Sequence, residues 1–148
     1  MKTIWYIVAV EAVIYHDGRY LTIVRSEQDD HAPGTLTFPG GKVEDAGVAA
    51  SILEQTLHRE VMEEVGVEIC PEVVCIRNDA FYSDGGDPIV MLTYLCRWQG
   101  GEPIITDPSE VSAIEWMTAE QILNHPKAPP WTHRSLLAAE SARKVRGW

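Results

Sequence analysis

Nine consecutive residues, Arg59-Glu60-Val61-Met62-Glu63-Glu64-Val65-Gly66-Val67, constrain this chain more than any other stretch. Glu60, Glu63 and Glu64 are spaced i, i+3 and i+4, so a helix through them gathers three carboxylates on one face. Left alone, a like-charged i,i+4 pair costs about 0.2–0.5 kcal/mol. Phe38-Pro39-Gly40-Gly41, read as a glycine turn, comes before them. Hard divalent cations such as Mg²⁺ take carboxylate oxygens and share their sites with substrate phosphates. Carboxylates beside a glycine turn therefore point to metal-assisted phosphate chemistry. By itself a Glu-rich helix face is more often a solvated surface, and it is the context that favours a cation. From Glu44 to Glu64 the acids are Glu44, Asp45, Glu54, Glu60, Glu63 and Glu64, and Arg59 is the only Lys or Arg. Solvated helix faces tend to alternate charge sign instead.

Apolar patterning supplies the frame. Residues 4–15, rich in Ile, Val, Trp and Tyr, predict a strand with little exposed surface. An Asp17-Gly18 turn and a return over 20–25 complete a hairpin. Residues 26–34 read as a loop and 35–38 as a short strand. Ser51-Ile52-Leu53-Glu54 has the form of a capping box. The helix it opens places Ile52, Leu53, Leu57, Val61 and Val65 near one stripe, with Glu60, Glu63 and Glu64 on the opposing flank and Gly66 as its stop. Further strands are expected over 67–70, 73–81, 89–98 and 113–117, with a turn at 83–88. Thr118 is expected to cap a helix over 119–124. After a proline-rich loop at 126–130, a last helix over about 132–145 should turn Leu136, Leu137 and Ala138 inward. No repeat, low-complexity tract or linker interrupts the chain, which reads as a single domain over 1–148. Strands, helix, strands, helices in that order predict an α+β fold on a mixed sheet.

The chain of 148 residues is long enough for a real core. Its net charge of −10 disfavours a general nucleic-acid binder, which would carry a basic footprint. A small anionic substrate stays admissible, because bound cations reverse the local field. Cys70, Cys75 and Cys96 are odd in number and lack a CxxC spacing, so they are expected reduced, in a cytosolic protein. Residues 1–10 are apolar with one Lys and no small-residue cleavage site, so no signal peptide is expected. No run reaches the roughly 18 uninterrupted apolar residues of a membrane-spanning helix.

The glycine turn, the helix and the REVMEEVGV run together resemble the Nudix box, G-x5-E-x7-R-E-U-x-E-E-x-G-U with U aliphatic. Gly41, Arg59, Glu60, Val61, Glu63, Glu64, Gly66 and Val67 fill its matching places. The strand order also resembles the family's α/β/α sandwich. One feature departs: Gly41 precedes Arg59 by eighteen positions where the pattern has fourteen. The first glutamate of the pattern then falls on Gly47 or on Ser51, neither of them acidic. Glu44, Asp45 and Glu54 are the candidates to take its place. The resemblance implies a metal-dependent hydrolase, using Mg²⁺ or Mn²⁺, that cleaves the diphosphate of a nucleoside diphosphate linked to another moiety. It implies Glu60 and Glu64 as principal metal ligands, Glu63 in the same cluster, the Gly40 carbonyl as a further ligand, and Arg59 as the residue that orients the carboxylates. Family members also draw an acid from a downstream loop as ligand or general base. Glu110 is the candidate here, ahead of Asp107 and Glu115, against the alternative of a solvated loop acid. The family is often dimeric, so a homodimer is compatible with the resemblance, although no residue pattern here requires one. The alternative function is a catalytically inactive Nudix-fold nucleotide-binding or regulatory module, motivated by the displaced glutamate. A plain acidic structural domain would leave the glycine turn and the charge cluster unexplained.

Other residues carry weaker signals. Trp131 reads as packing the last helix onto the sheet, with stacking on a base or sugar as the alternative. His31, Arg25 and Lys42 could face a phosphate, which needs a cation of this kind. His58 reads as helix surface, and Arg143, Lys144 and Arg146 as favouring a helix C-terminus. Phe81 and Tyr82 fit either cleft or core.

Overall fold

A computed structural model describes residues 1–148. Its elements are β1 (Ile7–His16), β2 (Arg19–Arg25), β3 (Leu36–Thr37), β4 (Gly40–Lys42), α1 (Ile52–Val65), β5 (Glu68–Ile69), β6 (Val74–Tyr82), β7 (Pro88–Gly100), β8 (Val111–Met117), α2 (Ala119–Leu123) and α3 (Pro130–Arg146). The strands run in the order β3-β2-β1-β7-β5, with β4 on β1, β6 on β7 and β8 on β2. β1 and β7 are parallel from Ile7↔Ile89 to Tyr15↔Arg97, and every other pairing is antiparallel. The sheet is therefore mixed, as the order of elements predicts.

Strand alternation splits the core into two layers. Val10, Ala12 and Ile14 of β1 join Leu21, Ile23, Tyr94 and Cys96 under Leu57, Val61 and Val65 of α1. Val13, between them in sequence, joins Tyr20, Leu95 and Met117 on the other face, under Ile122 of α2 and Leu136 and Ala139 of α3. Helices thus cover both faces, giving an α/β/α sandwich. Each large aliphatic side chain buried this way contributes roughly 1.5–3 kcal/mol. No helix is long and apolar enough to cross a membrane. Cys70, Cys75 and Cys96 are all unpaired.

Four local expectations need correction. Gly40 and Gly41 do not form a turn but belong to β4, paired to β1 at Glu11↔Gly40 and Val10↔Gly41. β1 starts at Ile7 and not at residue 4, leaving Ile4, Trp5 and Tyr6 exposed. Ser51 is the N-cap of α1, yet its φ of 52° is left-handed and its side chain makes no cap bond. A side-chain cap needs the extended backbone region at that position. The inward stripe of α3 is Thr132, Ser135, Leu136 and Ala139, at i, i+3, i+4 and i+7, so Leu137 falls off it and is 55% exposed. Elsewhere the local chemistry reads true. Asp17 and Gly18 both have positive φ, as the hairpin turn requires, Gly66 closes α1 from the left-handed region, and Thr118 with Gln121 forms a capping box for α2.

The far end of α3 is tied to the β1–β2 hairpin by a polar cluster. The Tyr20 hydroxyl donates to the Glu140 carboxylate, and Arg143 Nε donates to the same oxygen at 2.6 Å. The Arg143 guanidinium also lies over the Tyr15 ring, 4.7 Å from its centre. Burial alone would raise the Glu140 pKa, but the Tyr20 and Arg143 donors outweigh it and hold the carboxyl below its usual range. A depressed carboxyl pKa stabilises the fold above the unfolded value and stops doing so as pH falls through the folded one. Glu140→Gln is therefore expected to lower stability at pH 7 by about 1 kcal/mol. Chemical denaturation across pH should show the gap to the parent closing below about pH 4.5, and a constant gap would contradict this account.

Candidate active site

Helix α1 has two unlike flanks. Thr56, Leu57, Val61 and Val65 are buried, while Glu60, Glu63 and Glu64 fall in the C-terminal half, with no basic residue in the last turn. Carboxylates near a helix C-terminus oppose the macrodipole. The arrangement costs stability unless a cation compensates it. The end of the helix is held by Thr106, whose hydroxyl donates to the Glu63 carbonyl at 2.5 Å, and by Ile104 N–H on the Val65 carbonyl at 3.0 Å.

The contact between α1 and β4 sets the geometry. A Cβ on Gly41 would lie 2.3 Å from the Glu60 carboxyl carbon, and one on Gly40 only 2.2 Å from the Val10 carbonyl oxygen. Both positions need glycine, one for the helix and one for β1. The Gly40 N–H lies close enough to the Glu64 carboxylate to oppose the rise in its pKa.

Glu64 is the most perturbed of the three acids. Burial pushes its pKa up to about 7, with the charges of Glu60 and Glu110 adding to the shift and Arg25 and the Gly40 N–H opposing it. Its Oε1 is buried and has no hydrogen-bond partner. A buried acceptor without a donor is costly and rare. Glu60 is also raised, first by burial and then by the charges of Glu63 and Glu44, against the pull of Arg59. Arg59 Nη1 divides itself between Glu60 Oε1 at 3.0 Å and Glu63 Oε2 at 3.1 Å. Despite some desolvation, Glu60, Glu63 and Glu44 hold its pKa above the ordinary value.

The fold thus brings Gly40, Arg59, Glu60 and Glu64 into one place, with Glu110 near enough for Glu64 to feel its charge. Glu63 sits at the rim on Arg59, its side chain 59% exposed. Asp107 is turned to its own loop, accepting from the Ser109 N–H at 2.9 Å and hydroxyl at 2.6 Å. Glu115 lies within β8, opposite Thr22. Nowhere in the chain are three His, Cys, Asp or Glu side chains already gathered around an ion-sized space. Among the candidates for the displaced acid, Glu44 is the one whose charge reaches Arg59 and Glu60. Asp45 accepts from the Gly47 N–H at 2.8 Å, and the charge of Glu54 acts on Tyr94. Arg25 stands beside Glu64, held by Asp29 at 2.8 Å and by the His31 carbonyl at 2.8 Å. Lys42 is exposed on β4, and His31 reaches toward Asp84 at 4.0 Å. Trp131, read as a packing residue, is 45% exposed. Sequence reasoning passed over Glu11, a buried carboxylate in β1. The signal was there: one acid at an alternating position inside Val-Ala-Val-Glu-Ala-Val-Ile.

Two stability outcomes follow. A carboxyl whose folded pKa exceeds its unfolded value weakens the fold as pH rises through that interval. In EDTA at pH 8, Glu64→Gln should therefore stabilise the protein by on the order of 1–3 kcal/mol, read as a rise in Tm. A Tm at or below the parent's would contradict it. Gly40→Ala should cost more than Gly41→Ala, and overpacking of this kind costs about 1–3 kcal/mol. The Val10 backbone cannot step aside, whereas the Glu60 side chain can rotate. Equal losses in denaturant titrations would count against that ordering.

The NUDIX domain family matches residues 5–139. No curated protein sequence matches significantly. Among solved structures, a MutT NUDIX hydrolase from Burkholderia pseudomallei is 26% identical over 90% of this chain and 98% of its own, with a TM-score of 0.76. The E. coli ORF135 protein is 27% identical over 97% and 94%, with a TM-score of 0.66. The NUDIX domain of Shewanella oneidensis NrtR, solved as a complex with ADP ribose, is 26% identical over 96% and 89%, with a TM-score of 0.69. With the family match spanning almost the whole length, and the α/β/α sandwich and the helix α1 that carries Arg59, Glu60 and Glu64 in place, the chain belongs to the NUDIX family as a Nudix-type pyrophosphohydrolase.

Proposed function

We propose that this hydrolase works with Mg²⁺ or Mn²⁺ on a nucleoside diphosphate linked to another moiety, and cleaves the phosphoanhydride between the two phosphates. One observation supports the metal above all: the buried, unpartnered Oε1 of Glu64, in a carboxyl raised to about 7 beside Glu60 and Glu110. Hard oxygen donors of this kind fit Mg²⁺ or Mn²⁺ and not a soft metal. Glu60 and Glu64 would hold the ion, with Glu63 and the Gly40 carbonyl completing the set. When bound, a divalent cation neutralises phosphate charge and lowers the pKa of water.

The residues of the chain do the positioning. Arg59 bridges Glu60 and Glu63 and fixes their rotamers, with Glu44 as its further acidic neighbour in place of the displaced family glutamate. Glu110, on the loop before β8, would take a proton from the attacking water, a role supported by the reach of its charge to Glu64. Arg25 is the cation whose charge acts on Glu64, and it suits an anionic phosphate oxygen. The nucleotide character of the substrate is supported by the ADP ribose held in the related NrtR domain.

Product release should be measured from nucleoside triphosphates, ADP-ribose, dinucleoside polyphosphates and nucleotide sugars, with Mg²⁺, Mn²⁺ or EDTA. Cleavage of one class that EDTA abolishes is the expected result. Failure of every substrate while Mg²⁺ still raises Tm would favour a binding module. Glu64→Gln should lower kcat at least about 1,000-fold with the fold retained, and a near-parental rate would remove Glu64 from the site. Glu110→Gln should lower kcat by about 10²–10⁴-fold, the usual range for a lost general base, while leaving the Mg²⁺ dependence of Tm in place. Unchanged kinetics would take Glu110 out of the mechanism.

A further inference from the structure

Glu11 is a buried acid that the proposed chemistry does not use. It is 7% exposed and lies on the face of the sheet opposite α1. Two hydroxyls donate to the same oxygen, Oε1: Thr93 at 2.9 Å and Ser135 of α3 at 2.7 Å. Oε2 has no hydrogen-bond partner in the protein. Burial raises the carboxyl pKa, while Ser135, Thr93 and the charge of Arg77 oppose that shift and Asp79 adds to it. Anchoring one oxygen with two donors and leaving the other free is an unusual use of a carboxylate for fold stability alone, since a Gln or an apolar residue would avoid the desolvation cost.

The position of Glu11 gives the free oxygen a use. Across the sheet it forms a row with Gly40, Thr93 and Arg77, so it is one strand away from the glycine backbone against which α1 sets Glu60. Toward the start of β1 the next rows are Ala9–Met91–Asp79 and Ile7–Ile89–Phe81. None of these residues belongs to the core under α2 and α3. That helix layer therefore ends at Glu11, and beyond it Phe81 is 37% exposed and the Asp79 side chain 44%. Trp131 lies one helical turn before Ser135 on α3, nearly half exposed. Ala9 and Ile89 in these rows are buried, so the exposed part is the β6 edge at Phe81 and Asp79. An exposed aromatic ring and a fixed acceptor near that edge suit a flat ring that carries N–H donors.

We propose that Glu11 is a specificity-determining residue, its Oε2 accepting a hydrogen bond from an amino group on the base of the nucleotide substrate. This rests on the nucleotide reading of the site and deepens it. Oε2 is not sealed from solvent, and a bound base that covers it without offering a donor would leave it unpaired, so the site would reject an analogue lacking the amino group.

The test compares substrates that differ by one amino group, GTP against ITP and CTP against UTP, with the parent and Glu11→Gln. The Gln side-chain oxygen can still accept from Thr93 and Ser135, but its NH₂ replaces the free acceptor. The parent should favour the amino-bearing member by about 10- to 100-fold in kcat/KM, through KM, and Glu11→Gln should bring the two members together. A purely structural role would lower both members equally and leave the ratio unmoved, which would overturn the proposal. Ser135→Ala, read the same way, should loosen the carboxylate and shrink the ratio severalfold, and it decides the question if Glu11→Gln fails to fold. A parent that hydrolyses none of these nucleotides overturns the nucleotide reading and this role with it. A parent that hydrolyses them with a ratio that neither variant moves overturns only the role of Glu11.

Discussion

A Cβ on Gly40 would sit 2.2 Å from the Val10 carbonyl oxygen and one on Gly41 2.3 Å from the Glu60 carboxyl carbon, so two successive bare backbones set how closely three elements can meet. β4 lies against β1 because Gly40 offers nothing to hold it off. α1 brings Glu60 onto β4 because Gly41 offers nothing either. The remaining geometry follows from that contact. The Gly40 N–H comes near the Glu64 carboxylate, and Glu11 stands in register with Gly40 on the neighbouring strand. A side chain at either position would push apart the elements that carry the chemistry, although neither glycine reacts with anything.

Against this tight packing the electrostatics run the other way. Glu60, Glu63 and Glu64 share one end of a helix whose dipole disfavours them, and Arg59 is shared between two of them. Burial raises Glu60 and Glu64 further. Leu57, Val61 and Val65 hold the helix in place through apolar contacts that do not depend on the charges. The apolar flank therefore offsets the instability of the acidic flank, a division that strained functional sites commonly show.

The α1 stripe, the Asp17-Gly18 hairpin, the Gly66 stop and the Thr118 cap were legible because each depends on a few neighbouring residues and a fixed period. The Nudix-box spacing marked the site for the same reason. What was not legible depended on contacts distant in sequence. Gly40 and Gly41 look like a turn until β1 is placed beside them. Ser51 has cap chemistry, but its backbone lies in the wrong region to use it. Leu137 is apolar and one position off the buried stripe of α3. Which of Glu44, Asp45 and Glu54 would approach Arg59 depended on the path of the lengthened loop, and Glu11 became noticeable only once Thr93 and Ser135 were seen to converge on it.

The parallel pairing of β1 with β7 carries a kinetic meaning. Glu11 and Thr93, neighbours in that pairing, are separated by 82 positions. β4 and α1 both lie within that span. Closing a loop of this length costs chain entropy before the contacts offset it, and parallel, non-local pairings fold slowly. Helix α1 can form on its own within microseconds. Its acidic flank, with Arg59 already shared between Glu60 and Glu63, needs only β4 and β1 to be placed. The candidate site, carried by β4 and α1 against β1, is thus built from the more local part of the chain, and the high-contact-order pairing of β1 with β7 is the step that closes the sheet around it.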